Sequence, residues 1–191
     1  MICVSIDPAL GGGHATVVTE LGHKLTILDA RADYGLSRTE EQLQIISDIA
    51  TIYRPNIVII ETDAQQKGLA NDDRLATLSA LHNFQIRPHL TRMQKMDIAF
   101  GVAAMDQSFR EGLIRIPYGD DDTRRRMEPL IKQLREWRPD RPAKVLRQDI
   151  VMALWVAWRY WKQLTFSYDQ AEELQSRPSW AGRDPRLVGA R

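Results

Sequence analysis

The chain has 191 residues, enough for one domain with a substantial core, and its 43% hydrophobic and 27% charged residues fit a soluble globular protein. No stretch approaches the length of a membrane span, no basic segment and apolar core suggest export, and the lone Cys3 rules out an internal disulfide and a cysteine-based zinc site, as suits a reducing cytoplasm. The formal net charge of +1 hides an asymmetry, because Arg and Lys cluster in the later half, so a local patch bears on partners more than the total does.

Met1 to Gly13 (MICVSIDPALGGG) is the stretch to which the rest of the chain is fitted. Ile2 to Ile6 is a β-branched-rich run of strand length, ended by Pro8 and the glycines at 11, 12 and 13, and it delivers Asp7 to a strand end. A carboxylate there either starts a turn or serves a site at the sheet edge. The strand begins without leader or cap, as in a domain cut from a longer polypeptide. His14 to Thr19 and Lys24 to Ala30 read as the next two strands, tightly joined at Leu21, Gly22 and His23, which predicts an antiparallel meander. Ser37 and Glu40 have capping-box spacing. Leu43, Ile46, Ile49, Ala50 and Tyr53 then come at helical spacing until Arg54-Pro55.

Asn56 to Glu61 (NIVIIE) is a continuous apolar run of the kind buried on both faces of a parallel sheet. Its terminal Glu61 is either a salt-bridged or solvated strand end or a ligand for a cation. Asp72 to Phe84 reads as a helix, and Gln85 to Leu90 as a strand that Pro88 places at an edge or bulge. Lys95 to Glu111 carries Ile98, Val102, Met105 and Phe109 on one face and predicts a helix ended by Gly112, followed by a short strand over Leu113 to Pro117. Asp120, Asp121 and Asp122 fit a helix N-cap better than a metal site, since adjacent carboxylates repel.

From Arg124 to Arg147 the chain carries Arg124, Arg125, Arg126, Lys132, Arg135, Arg138, Arg141, Lys144 and Arg147 against Glu128, Glu136 and Asp140. This is either a solvated helix face or the electrostatic footprint of a polyanion site, most simply nucleic acid. Asp149 to Leu164 (DIVMALWVAWRYWKQL) is the most apolar helix, with a broad stripe of Ile150, Ala153, Leu154, Ala157, Trp158 and Trp161 facing the sheet. Asp149 in its first turn is open to two readings, N-cap and site carboxylate. Beyond Leu164 the pattern decays, which gives a domain over 1–164 and a tail or linker over 165–191. No GxxxxGK[ST] or GxGxxG motif points to a nucleotide motor or dinucleotide enzyme.

The order of elements and the wording of three motifs, SIDPALGGG, NIVIIET and QDIVMALWVAW, resemble the ribonuclease H-like nucleases, most closely the nuclease domain of the phage large terminase subunit. A looser match runs from Lys95 through Gly112 to Ile116-Pro117. The resemblance implies an α/β fold: a ribonuclease H-like mixed sheet, an antiparallel three-strand meander plus parallel strands, flanked by helices. Two features depart from the family pattern: Gln148 stands at the first of the two positions that often hold an acid before the last helix, and His14 stands where another acid often follows the glycine turn. His14 is not read as a ligand.

Phosphodiester hydrolysis needs an activated water and neutralised phosphate oxygens, which two divalent cations roughly 4 Å apart supply. Hard Mg²⁺ or Mn²⁺ ions favour carboxylates from separate elements. The expected engine therefore has Asp7 bridging two ions, Glu61 binding one and Asp149 the other. By resemblance alone, Lys95 contacts a phosphate or orients a carboxylate, the other reading being an ordinary solvated lysine at a helix start; the basic stretch containing Arg124, Arg125, Arg126, Lys132, Arg135, Lys144 and Arg147 would then hold double-stranded DNA by its backbone. The resemblance further implies an endonuclease that cuts viral DNA concatemers during packaging in the cytoplasm of an infected bacterial host. Its partners would be the terminase ATPase motor domain, the small terminase subunit and the portal. A Holliday-junction resolvase or transposase-like nuclease, and a non-catalytic DNA-binding module, are the alternatives.

Overall fold

A computed structural model of the protein describes residues 1–8, 13–35, 39–62, 67–91, 101–138 and 148–176. The β-branched opening run forms β1 (Ile2–Asp7), which pairs antiparallel with β2 (Gly13–Leu21), and β2 pairs antiparallel with β3 (Leu25–Tyr34), so the meander is as expected. The apolar run over Ile57–Glu61 is β4, parallel to β1 and buried along its whole length. β5 (Gln85–His89) lies parallel to β4, and β6 (Ile114–Arg115) parallel to β3. The mixed six-stranded sheet has the order β5-β4-β1-β2-β3-β6, which puts Pro88 on an edge strand, where a missing N–H costs no ladder bond.

Strand alternation sends side chains to two helical layers. Val4, Ile6, Val58 and Ile60 pack against α1 (Thr39–Tyr53) and α3 (Asp73–His82) through Ile46, Ile49 and Leu75, with the short α2 (Lys67–Ala70) contributing Leu69. Cys3, Val17, Ile57 and Ile59 face the other way. There they meet Met105 of α4 (Met105–Arg110), Met127 and Leu130 of α5 (Asp121–Glu136), and Trp155 of α6 (Asp149–Ser176). Arg74 bonds both Glu40 and Asp72 at 2.7 Å, tying α3 to α1 and holding the Asp72 carboxyl down at about 2.

Several expectations change. Of the helix expected over Lys95 to Glu111, residues 95–100 lie outside the described residues, and from there the helix is not continuous, because Gly101 has extended backbone (φ −78°, ψ −170°) and a 3-10 turn over Val102–Ala104 precedes the short α4. Glycine is among the poorest helix formers, and here it breaks an otherwise periodic pattern. Gly112, at φ 65°, ends α4 as expected. The strand expected over Leu113 to Pro117 shrinks to β6, and α6 continues beyond Leu164 to Ser176. Asp120 is the N-cap of α5, its Oδ1 accepting the amides of Asp122 at 3.0 Å and Thr123 at 2.9 Å. Ser37, the first half of the capping box, lies outside the described residues.

Candidate active site

β1 and β4 pair in register from Cys3↔Ile57 to Ile6↔Ile60, and one residue further along come Asp7 and Glu61. Parallel neighbours run about 4.8 Å apart, so these two residues stand side by side at the carboxyl ends of the central strands. Alternation with Cys3 and with Ile57 and Ile59 turns both toward the α6 layer. Asp7 is 6% and Glu61 4% exposed. Two neighbouring carboxylates so far out of water make a place suited to positive charge. The donor set is oxygen only, which suits a hard divalent cation completed by water.

The third predicted carboxylate arrives by a helix that runs antiparallel to β1. Trp161 Nε1 donates to the Gly22 carbonyl at 2.8 Å, anchoring that part of α6 at the end of the sheet where β1 begins. From Trp161 back to Asp149 the helix rises about 18 Å. From Met1 to Asp7 the strand covers about 20 Å. Asp149 therefore lies at the carboxylate end of the sheet, and the positive end of the α6 dipole favours anions there. Among the described residues, no three His, Cys, Asp or Glu side chains gather as a metal site. Asp7 and Glu61 are brought together, while Asp149 shares their end of the sheet without closing on the same point.

Two residues that sequence reading missed complete this end. Gln133 of α5 is 7% exposed, and its Oε1 accepts the Ile150 and Val151 amides at 2.9 and 3.3 Å while Nε2 bonds the Tyr34 hydroxyl at 3.3 Å. It thus does for α6 what an N-cap side chain does elsewhere. His89 of β5 pairs with Glu61 on its other side, and its ring meets the Trp155 ring edge-on with centroids 5.7 Å apart. Asp7, Glu61 and His89 thus form a row across three adjacent strands. A spacing pattern cannot reveal either contact, since both depend on which elements become neighbours. His14, paired with Asp33, alternates with Ala15 and Val17 and so faces the α1 layer, away from the carboxylates. It is fully buried, and burial together with the Arg31 charge pushes it down to about 4, so it is neutral.

The basic stretch divides. Arg126 Nη1 donates at 3.1 Å to the Leu28 carbonyl, where β3 carries an extra residue at the bulge opposite Val18 and Thr19, and Arg126 also ion-pairs with Asp122 at 3.0 Å. Arg124 ion-pairs with Asp121 at 3.4 Å and lies 5.7 Å over the Tyr118 ring. Both arginines have structural work. Arg125, Lys132 and Arg135 are exposed on the side of α5 away from buried Met127, Leu130 and Gln133. Lys95, Lys144 and Arg147 lie outside the described residues.

No protein-family model and no curated protein matches the chain. Solved structures do. The fowlpox virus Holliday junction resolvase is 13% identical with a TM-score of 0.52, the match covering 86% of this chain and 99% of that one. The same resolvase in complex with its substrate Holliday junction DNA is 9% identical with a TM-score of 0.52, covering 84% and 99%. RuvC of Thermus thermophilus is 12% identical with a TM-score of 0.44, covering 85% and 96%. At these identities the likeness is one of fold: a ribonuclease H-like α/β architecture with a mixed six-stranded sheet flanked by helices.

Proposed function

We propose that the protein is a metal-dependent DNA endonuclease that acts on branched DNA, cutting phosphodiesters at the carboxyl ends of β1 and β4. The observation that carries this reading is the side-by-side placement of buried Asp7 and Glu61 on adjacent parallel strands. Divalent cations bound there would supply Lewis-acid neutralisation of the phosphate and a lowered pKa for the attacking water. Asp7 and Glu61 would hold the cation, and Asp149, at the amino end of α6, would complete its charge balance. Ile57, Ile59 and Trp155 belong to the apolar cluster on the face that carries the carboxylates. Ser5 Oγ bonds the Val17 carbonyl at 3.3 Å and Thr62 Oγ1 bonds the His89 carbonyl at 3.2 Å, locking the strand ends that carry the two acids.

The choice of substrate rests on the fold shared with the fowlpox resolvase, whose substrate is a Holliday junction. The terminase reading, cleavage of linear concatemers with a motor and portal as partners, rests on the motif resemblance in SIDPALGGG, NIVIIET and QDIVMALWVAW. One experiment tests both. A labelled four-way junction and a linear duplex of the same sequence are incubated with Mg²⁺, Mn²⁺ or EDTA, beside Asp7→Asn, Glu61→Gln and Asp149→Asn checked for folding. Metal-dependent cleavage that favours the junction and is lost in the folded variants supports the proposal. Equal cleavage of both substrates turns the reading toward the terminase type, and activity unaffected by Asp7→Asn ends it.

A further inference from the structure

Two contacts fix the course of α5. Arg126 bonds the Leu28 carbonyl within β3, and Gln133 reaches the hydroxyl of Tyr34, which pairs with Gly13 at the end of the sheet that carries Asp7. The helix therefore runs alongside β3 toward the carboxylates, where Gln133 on its inward side meets the first turn of α6, the turn of Asp149. Arg125, Lys132 and Arg135 stand exposed on the outward side. At 3.6 residues per turn they fall within about 80° of one another, over a rise of about 15 Å. Of the four acids of α5, Asp121 pairs with Arg124, Asp122 pairs with Arg126, and Glu128 accepts the Tyr118 hydroxyl at 3.0 Å; Glu136 is the fourth. Among the described residues, Arg125, Lys132 and Arg135 have no ion pair, so the outward side keeps a surplus of positive charge.

We propose that the outward side of α5 is a rail for a duplex arm of the substrate, with Arg125, Lys132 and Arg135 each contacting a phosphate as the duplex runs to the carboxylate end. This rests on the nuclease reading and deepens it, by assigning the surface that holds the polyanion. One strand of a duplex carries a phosphate about every 3.4 Å of axis, so cations spread over about 15 Å face about four phosphates in a row. Contacts of this type fix position and carry no sequence preference. Gln133, the residue after Lys132, holds the Ile150 and Val151 amides, so the bound duplex and Asp149 are referred to the same helix.

The test measures binding apart from cleavage. A fluorescent duplex is titrated in EDTA at several salt concentrations with wild type, Arg125→Gln/Lys132→Gln/Arg135→Gln, Arg125→Lys/Arg135→Lys and Arg54→Gln/Arg115→Gln. The last pair removes exposed charge at the opposite end of the sheet, where Arg54 precedes β4 and Arg115 pairs with Thr26. Losing three phosphate contacts should make log K against log salt shallower by about 2.7, so a fourfold rise in salt should cost wild type about 40-fold more affinity than the triple variant. The Lys pair, which keeps its charges, and the distant Gln pair should hold the wild-type slope. An unchanged slope in the triple variant overturns the proposal. So does an equal loss per charge in the distant pair, since attraction would then follow total charge and not this surface. A single strand of the same sequence that binds as tightly as the duplex overturns the duplex assignment. Thermal unfolding of each variant separates lost contacts from lost structure. If the triple variant loses slope as stated but wild type never cuts DNA, the nuclease reading fails and this one stands. If wild type cuts and the triple variant keeps its slope, the reverse holds.

Discussion

Gln133 accepts the amide of Ile150 at 2.9 Å and, through the same oxygen, that of Val151 at 3.3 Å, so a side chain of α5 caps the first turn of α6. The first turn of α6 thereby becomes part of a unit with β3, reached through the Tyr34 hydroxyl. Replacing Gln133 with Leu keeps the volume but strands two amides, at about 1–3 kcal/mol for a buried unsatisfied group. Gln133→Glu retains the accepting oxygen at the positive end of the helix and should stay within about 1 kcal/mol of wild type. Urea unfolding measures both. Gln133→Leu should also reduce cleavage beyond its effect on the folded fraction, by loosening Asp149. Equal stability of the two variants would mean that water caps the helix instead.

Neutralising Glu61 should act on stability and activity in opposite directions. Two carboxylates at the ends of neighbouring strands repel, on the order of 1 kcal/mol even after screening, when no cation lies between them. In EDTA, Glu61→Gln should therefore melt a few degrees above wild type while cutting no DNA. Among the described residues no ion pair holds Glu61, so the substitution strands no partner there. A variant that melts well below wild type in EDTA would make Glu61 a structural group.

Much of this fold was readable from period and punctuation. The apolar run at Ile57–Glu61 and the β-rich runs with tight turns in β1 through β3 announce a buried central strand and a meander, and Asp120 announces the start of α5. Asp7 and Glu61 were legible as strand-end acids, because a charge at the end of so apolar a run demands a reason. Local pattern does not encode strand order. That β5 borders β4, and so sets His89 beside Glu61 and Arg87 beside Ile59, is a pairing between stretches far apart in the chain. The basic stretch reads as uniform along the chain, yet folding assigns Arg126 to a bulge carbonyl and leaves Arg125, Lys132 and Arg135 outside. Gln133 is equally silent, since its partners are backbone amides of another helix.

His14 gives stability a pH dependence of known sign. Folded, it stays neutral down to about 4; unfolded, it titrates at 6.5. As pH falls below 6.5 the unfolded chain gains a proton that the folded chain refuses, so stability is complete above 6.5 and is lost progressively toward pH 4. The gap amounts to about 3 kcal/mol. Urea unfolding from pH 7 to pH 4.5 should show wild type losing stability faster than His14→Gln, which has no proton to bind. Parallel profiles would place the titrating groups elsewhere.

Cys3 offers a reporter inside the same strand as Asp7. It is fully buried on β1, between β2 and β4, and burial pushes its thiol up to about 12, so the folded protein should resist thiol reagents. Labelling requires the central strand to open, and its rate follows the population of open molecules when closing is fast. A cation that binds only the folded carboxylate pair lowers that population by the factor 1 + [L]/Kd, about 100-fold at a hundred times Kd. Mn²⁺ or Mg²⁺ should therefore slow Cys3 labelling in wild type and leave Asp7→Asn and Glu61→Gln unaffected, with no DNA present. Calcium, which also prefers oxygen ligands, should protect as well, whereas monovalent salt at equal ionic strength should not. If divalent ions change nothing in wild type, Asp7 and Glu61 do not bind a cation by themselves, and the site would need DNA to assemble.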